Sequence, residues 1–349
     1  MRIVSNLGGR RFQFVGISYN TSPYANVYPI TSTTTIGAKI ANPGTLPAGV
    51  CNSIRWSNDN ADVAVGMGTT PFVYVYPWTR TAAGGFGTRY ANPSTLPTGS
   101  VEHTDWNPTR TTLACSHFNS PYFSFYQWST SGFGTKYADP TATGITVGLD
   151  VQFSPDGTVV VIGGTAASGY AYPWNDSTGF GTKYSDPTGM PGAVHGFDWK
   201  STGDYMVLGQ SLTPYIQIFP WSNSTGWGTV LANPGTIPTS TCFMAKWSNN
   251  SWSSNPNSIA YATDTTPFVN SYTWTGSAWG TKSGNPATLP TATGSGASFN
   301  AANNLVAYSS TATSFLFVYG LNADSTIGTK LANPATLPGG SALDVEFTF

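Results

Sequence analysis

Charged side chains are rare in this sequence, where they make up 8% of the residues, against roughly 25% in a typical soluble domain. The 14 basic and 15 acidic residues nearly cancel and leave a formal net charge of -1. A chain with so few basic residues lacks the positive patch that attracts nucleic acid or an anionic membrane surface. We therefore expect no nucleic-acid partner and no membrane insertion.

Cysteine and histidine are equally scarce. The 3 cysteines are an odd number and too few for a disulfide framework, so we expect them to be small buried residues. The 3 histidines, His103, His117 and His195, show none of the spacings to Cys or Glu that are typical of a metal site. The motifs of a catalytic triad, a phosphate-binding loop and a carboxylate pair are absent too. The sequence thus predicts no catalytic residue, no cofactor and no metal ion.

The first residues contain no long apolar run. We therefore expect neither a signal peptide nor a membrane-spanning segment. A location outside the cell would then need another route, such as assembly into a virus particle followed by lysis.

A stretch of eleven residues, Gly87 to Pro97, recurs from one end of the chain to the other. The first glycine of each copy follows the previous one after 47 to 52 residues, and an Asn-Pro or Asp-Pro pair follows every one of these glycines. The seven glycines are Gly37, Gly87, Gly134, Gly181, Gly228, Gly280 and Gly328. A repeat of this length without helical patterning indicates the blades of a propeller or the units of a solenoid.

The third repeat shows the unit most clearly, as four short β-branched or aromatic runs at 149–153, 158–163, 169–174 and 180–184. Gly, Pro, Asn, Asp or Ser separates these runs, which is the signature of strands joined by turns. We name the four antiparallel strands of a blade A to D. The pattern predicts an all-β fold, a seven-bladed β-propeller of four-stranded antiparallel blades.

The two ends of the chain together supply one blade. Only two strand-like runs precede the first glycine copy, whereas the last nine residues match strand A and have no B, C or D after them. We expect the C-terminal strand to join the N-terminal blade and close the ring. The whole chain, 1–349, is then a single domain, with blades at about 50–97, 100–143, 147–191, 194–238, 241–290, 294–338, and 341–349 plus 1–47.

Two aromatic columns run through the repeats. The strand A column is Trp56, Trp106, Phe153, Trp199, Trp247, Phe299 and Phe347. The strand C column is Tyr28, Tyr76, Tyr126, Tyr172, Phe219, Tyr272 and Tyr319. An aromatic residue repeated at one strand position favours packing between neighbouring blades over stacking on a ligand.

A polar column immediately precedes the strand A aromatics. Its members are Arg55, Asp105, Gln152, Asp198, Lys246, Ser298 and Glu346. In a closed ring Arg55 would have Glu346 and Asp105 as neighbours, and Lys246 would have Asp198. Because a buried charge needs a partner, we predict structural ion pairs here rather than catalytic groups.

The segment Leu149 to Gly157 and the tripeptide ending at Trp174 resemble the WD-repeat propellers, which carry a similar strand A, a Ser-Pro-Asp-Gly turn and a tryptophan that closes strand C. The Gly-His and Trp-Asp pairs of that family are missing here. The blades are even more similar to propeller-repeat proteins of tailed-phage genomes, through Thr70-Pro-Phe72, Tyr76-Pro-Trp78 and the run from Phe86 to Pro97. That resemblance implies a phage-associated protein located in the virion.

Alternating strand direction places the B–C and D–A loops on one face of the disc, the B–C face, and the A–B and C–D turns on the other, the A–B face. The B–C face would be flat, uncharged and rich in Thr and Pro, with Phe72, Tyr215 and Phe268 as candidate interaction residues. On the A–B face, Trp252 lies outside both aromatic columns and is a further candidate.

These observations favour a non-enzymatic interaction module, a structural or accessory protein of a tailed-phage virion. Its partners would be other virion proteins, or a glycan or protein on the host surface. The alternative is a glycan-binding propeller lectin, which would expose aromatic and amide groups at matching places in several blades. The third possibility is an enzyme that uses the central channel.

Overall fold

The computed structural model describes residues 12–140, 144–165, 169–248, 258–322 and 324–349. Over these ranges the chain forms twenty-seven strands arranged in seven antiparallel sheets. The predicted seven-bladed propeller is confirmed. None of the described residues belongs to a helix long and apolar enough to cross a membrane.

The blades are numbered from the one that contains both chain ends. Blade 1 holds β1 (Gln13–Tyr19), β2 (Ala25–Ser32), β3 (Thr35–Ile36) and β27 (Ala342–Phe347). Blade 2 holds β4 (Cys51–Trp56), β5 (Asp62–Met67) and β6 (Val73–Pro77), and a single bridge between Trp78 and Phe86 stands where other blades have a fourth strand. Blade 3 holds β7 (Val101–Trp106), β8 (Thr112–His117), β9 (Phe123–Ser129) and β10 (Gly132–Lys136).

The remaining blades repeat the same order. Blade 4 holds β11 (Gly148–Phe153), β12 (Val159–Gly164), β13 (Gly169–Asn175) and β14 (Gly179–Phe180). Blade 5 holds β15 (Val194–Trp199), β16 (Tyr205–Gln210), β17 (Ile216–Ser222) and β18 (Gly226–Trp227). Blade 6 holds β19 (Cys242–Trp247), β20 (Ser258–Thr263), β21 (Val269–Trp274) and β22 (Trp279–Lys282). Blade 7 holds β23 (Gly294–Phe299), β24 (Leu305–Ser310), β25 (Leu316–Leu321) and β26 (Ile327–Lys330).

The C-terminal strand closes the ring, as predicted. Strand β27 pairs antiparallel with β1, so that Glu346 lies opposite Gly16. Beyond the strand, the backbone N–H of Thr348 donates to the carbonyl of Phe14 at 2.9 Å. The backbone N–H of Phe349 donates to Oδ1 of Asn60 in blade 2, at 3.0 Å. The last two residues therefore add a hydrogen bond within blade 1 and another between blades 1 and 2.

The core lies in the wedges between neighbouring blades. In blade 2, the rings of Trp56 and Trp78 meet edge to face at 5.8 Å, and the Trp56 ring also packs on blade 1 over Gly16. A side chain at Gly16 would collide with that ring, so a glycine is required for the two blades to approach. The three cysteines are free and buried within these wedges. Apolar packing between blades thus accounts for the aromatic residue that ends each A strand.

Candidate functional site

A cavity of about 310 Å³ lies where the central channel opens on the A–B face. Its wall is the polar column of the seven A strands, and turn residues such as Asn58 and Ser201 form its rim. Small-molecule sites usually measure roughly 300–1,000 Å³, so the cavity can hold a ligand of about the size of a monosaccharide. Because every blade contributes one side chain, the fold itself assembles this site.

Backbone hydrogen bonds between blades hold four of the wall side chains in place. Each of the four accepts from the N–H of the strand A aromatic in the next blade. The contacts are Asp105 to Phe153 at 2.7 Å, Asp198 to Trp247 at 2.7 Å, Ser298 to Phe347 at 3.0 Å and Glu346 to Trp56 at 3.0 Å. The wall is therefore ordered before any ligand arrives, which lowers the entropic cost of binding.

Arg55 forms ion pairs with the C-terminal strand. Its Nη1 lies 2.9 Å from Asp344 Oδ2 and 3.8 Å from Glu346 Oε2. Burial alone would lower the pKa of Arg55, but these two carboxylates raise it above its ordinary value. The expected contact with Asp105 is absent, since Asp105 reaches forward to the backbone of blade 4 while Arg55 is held by blade 1.

The second terminal nitrogen of the Arg55 guanidinium, Nη2, contacts His103 in blade 3. His103 in turn contacts Asp150 in blade 4. Nη2 of Arg55 meets Nε2 of His103, and Nδ1 of His103 lies 2.5 Å from Asp150 Oδ1. A guanidinium only donates, so Nε2 accepts and Nδ1 carries the proton that faces Asp150. His103 therefore lies between Arg55 and Asp150, with one ring nitrogen in contact with each.

The sequence reasoning missed Asp344, Asp150 and the His103 contact. A signal was present, because Leu-Asp-Val-x-Phe occurs twice, at 149–153 and 343–347, and places an acid two residues before the polar column. Residues i and i+2 of a strand share one face. Asp150 and Asp344 therefore lie on the same strand face as Gln152 and Glu346 of the polar column, two residues earlier in the strand.

Lys246 and Asp198 form the second ion pair of the cavity wall, with Nζ 3.2 Å from Oδ1. Burial raises the pKa of Asp198, although Lys246 opposes the effect. Burial likewise raises the pKa of Asp105 to about 7 and that of Glu346 to about 8. Arg55 opposes the effect of burial at Glu346, whereas the charge of nearby Asp344 adds to it. Two wall carboxyls therefore change protonation state near neutral pH.

The candidate interaction residues of the B–C face are partly buried. Phe72, Tyr215 and Phe268 each pack against a cluster formed by their own blade and the next one. Packing between blades thus covers part of each ring, and the role of the three rings in an interaction stays a prediction. Trp252 lies outside the described residues.

Metal ligands do not gather in the part of the chain that the structure describes. There, no group of three or more His, Cys, Asp or Glu residues could hold a metal ion.

His117 and Ser124 form a buried pair, with Nε2 of His117 3.0 Å from Oγ of Ser124. Neither residue lines the cavity.

Comparison with known proteins identifies the fold alone. No protein-family model and no curated protein matches the sequence. Among solved structures, the chain is similar to a protein from Lactobacillus plantarum, at 12% identity with a TM-score of 0.68, over 97% of this chain and 99% of that one. A functionally unknown protein from Desulfotomaculum acetoxidans is similar at 12% identity and a TM-score of 0.69, over 94% and 98% of the two chains.

A third similar structure is the periplasmic gluconolactonase of Pseudomonas aeruginosa. It has 12% identity and a TM-score of 0.69, over 97% of this chain and 99% of that one. None of the three descriptions concerns a WD-repeat protein or a phage. The phage setting therefore stays a prediction from the repeat motifs.

Proposed function

We propose that the protein is a non-enzymatic binding module and that the channel cavity is its ligand-binding site. The observation that carries this proposal is the wall of the cavity, to which all seven A strands contribute one polar side chain at the same repeat position. Hydrogen bonds between blades hold four of these side chains in fixed positions. Convergent polar groups in a concave, preformed site are what small-molecule recognition requires.

Binding is favoured over turnover because His103 and His117, two histidines that could act as bases, are occupied or lie away from the cavity. Both ring nitrogens of His103 are engaged by Arg55 and Asp150. His117 and Ser124 are buried and do not line the cavity. A nucleophile and its base must both reach the substrate. His103 is held by its two partners, and His117 and Ser124 lie away from the cavity.

A hydrolase is the second candidate function, and a specific observation favours it. Asp105 and Glu346 line the same cavity, and burial brings the pKa of each into the range where a carboxyl can act as acid or base near neutral pH. One protein of the same fold is a gluconolactonase. A lactone is therefore the substrate class to test first.

The wider role that we propose is attachment within a tailed-phage particle or to its host. The channel cavity would bind a glycan of the host surface, while the B–C face would contact other virion proteins. The repeat motifs support this setting, and the small net charge of -1 predicts attachment that changes little with salt.

Two tryptophan substitutions test the site. Ser201 lies on the rim of the cavity, whereas Ser94 is exposed in a D–A loop on the opposite face. A glycan array and titration calorimetry would compare wild type, Ser201→Trp and Ser94→Trp, with thermal unfolding as the check on folding. We expect Ser201→Trp to weaken glycan binding about tenfold or more and Ser94→Trp to leave it unchanged. Equal binding by both variants, or no binding by wild type, would refute the proposal.

A further inference from the structure

The third residues of the seven A strands form a layer across the channel, which we name the channel floor. Its members are Ser53, His103, Asp150, Gly196, Met244, Gly296 and Asp344. Each lies two positions before the polar column, and therefore on the strand face that is turned toward the channel axis. All seven residues are buried, whereas side chains around an open channel would be in contact with water. Their burial shows that the channel is closed at this level.

Polar contacts join the channel floor across blades 1 to 5. Asp344 of blade 1 pairs with Arg55 of blade 2, whose guanidinium also contacts His103 of blade 3. His103 contacts Asp150 of blade 4, and Oδ2 of Asp150 accepts from the backbone N–H of Phe197 in blade 5 at 2.6 Å. Each contact passes from one blade to the next, so this part of the floor is continuous.

The two glycines of the channel floor leave no open space, because residues of the next blade fill it. A Cβ atom on Gly196 would lie 2.8 Å from Sδ of Met244 in blade 6. A Cβ atom on Gly296 of blade 7 would lie 3.1 Å from Oδ1 of Asp344 in blade 1. The floor is therefore packed where blade 5 meets blade 6 and where blade 7 meets blade 1.

The channel is thus accessible at both ends and closed between them. At the B–C end, the second residue of every A strand is partly exposed, namely Asn52, Glu102, Leu149, His195, Phe243, Ser295 and Leu343. At the A–B end, the lining of the cavity reaches down to Ala297 and Val345, the fourth residues of their strands. From the fourth to the sixth residue a strand rises roughly 7 Å, and the turns add a rim. The cavity is therefore a blind pocket that a ligand enters from the A–B face.

We propose that the channel cavity binds the terminal residue of a glycan end-on and does not bind internal residues. This inference rests on the proposed function, because it names the part of the ligand that enters that same site. An internal residue is linked on both sides, and a blind pocket of about 310 Å³ has one mouth through which the chain can leave. A terminal residue has a single linkage, so its free hydroxyl groups can reach the polar wall while the chain leaves through the mouth.

Glycans that differ in whether an end is free test this inference. Maltohexaose and cyclomaltohexaose contain the same linked glucose units, but the cyclic form has no end. On a glycan array, lactose exposes a terminal galactose that sialyllactose covers. By titration calorimetry, we expect each glycan that binds to lose affinity about tenfold or more in its cyclic form, or when its end is covered by a residue whose own methyl glycoside is not bound. Glycans with the same end and different interiors should bind alike.

A substitution inside the pocket tests how deep the ligand reaches. Ser298 belongs to the cavity wall, below the rim residue Ser201. Ser298→Met fills part of the pocket and leaves the rim unchanged, so we expect it to weaken glycan binding about tenfold or more. Ser94→Met is the matched control, since Ser94 is exposed on the opposite face, and it should bind as wild type does. Thermal unfolding of both variants shows whether they have folded.

The outcomes distinguish this inference from the proposed function. If a cyclic or covered glycan binds as tightly as its free-ended partner and Ser201→Trp weakens both, the end-on inference is overturned and the binding site stands. Normal binding by Ser298→Met together with weak binding by Ser201→Trp would place the ligand across the mouth and overturn it as well. The paired glycans decide the question if Ser298→Met does not fold. If wild type binds no glycan on the array, the inference is refuted together with the proposed function.

Discussion

Arg55 Nη1 lies 2.9 Å from Asp344 Oδ2, and this ion pair joins blade 2 to the C-terminal strand of blade 1. The two side chains are only 4% and 5% exposed, so water screens their charges poorly. Nη2 of the same guanidinium contacts His103 in blade 3. One arginine therefore connects three consecutive blades at the centre of the ring.

Arg55→Ala is expected to destabilise the protein strongly. The substitution leaves Asp344 buried without its cation, and breaking a buried pair in this way typically costs about 3–5 kcal/mol. Arg80→Ala is the matched control, because Arg80 is 59% exposed and its contact with Asp59 measures 4.0 Å. Urea unfolding would measure both, with a loss below about 1 kcal/mol expected for the exposed pair. Similar losses in the two variants would show that the Arg55 network contributes no more than a surface pair.

Deletion of residues 343–349 is expected to unfold or aggregate the protein. The truncation removes nearly all of β27 and leaves the N–H and C=O groups of β1 without their partner strand. It also removes Asp344, the nearer counter-charge of Arg55. Size-exclusion chromatography and thermal unfolding would measure the effect. A monomeric truncated protein with an unchanged Tm would show that the ring does not depend on this strand.

Glu346→Gln is expected to reduce the loss of stability on going from pH 5 to pH 8. Burial raises the pKa of Glu346 from 4.5 to about 8, so the unfolded chain ionises over this interval while the folded chain keeps its proton. Stability therefore falls as pH rises through this interval. The glutamine can still accept from the N–H of Trp56, but it has no proton to lose.

Urea unfolding at both pH values would measure the difference, which we expect to shrink by about 2–4 kcal/mol in the variant. Asp105 contributes a further decrease of the same sign, between its ordinary pKa and about 7, in wild type and variant alike. An identical pH dependence in the two proteins would mean that Arg55 keeps Glu346 ionised in the folded state.

The fold could be predicted from the sequence because its information is repeated. Each blade carries similar turn residues and the same two aromatic positions. A strand whose sequence is ambiguous in one blade can therefore be assigned from the other six. The strand supplied by the C-terminus was predictable for the same reason, since residues 341–349 match strand A and no other strand. In a repeat protein the same sequence pattern specifies the structure of every unit.

The site could be predicted only in part, because partners across blades depend on the direction and reach of each side chain. The position of the polar column predicted that Arg55 would neighbour Glu346 and that Lys246 would neighbour Asp198, as the structure shows. It did not show that Asp105 would turn to the backbone of Phe153 and leave Arg55 to Asp344. Thr-Pro-aromatic loops also look the same in sequence whether their rings face solvent or pack between blades, as Phe72 does.

Turnover is the property that separates the two candidate functions. We expect purified protein not to hydrolyse glucono-1,5-lactone above the spontaneous rate, because His103 is held by Arg55 and Asp150, and the His117–Ser124 pair does not line the cavity. A pH-stat assay from pH 5 to pH 9 would measure this. A rate above the blank that is lost in Asp105→Asn but kept in Asp139→Asn, whose carboxylate is exposed beside Lys136, would refute the binding proposal. It would establish Asp105 as the acid or base of a hydrolase, with activity that changes around pH 7, where the pKa of that carboxyl lies.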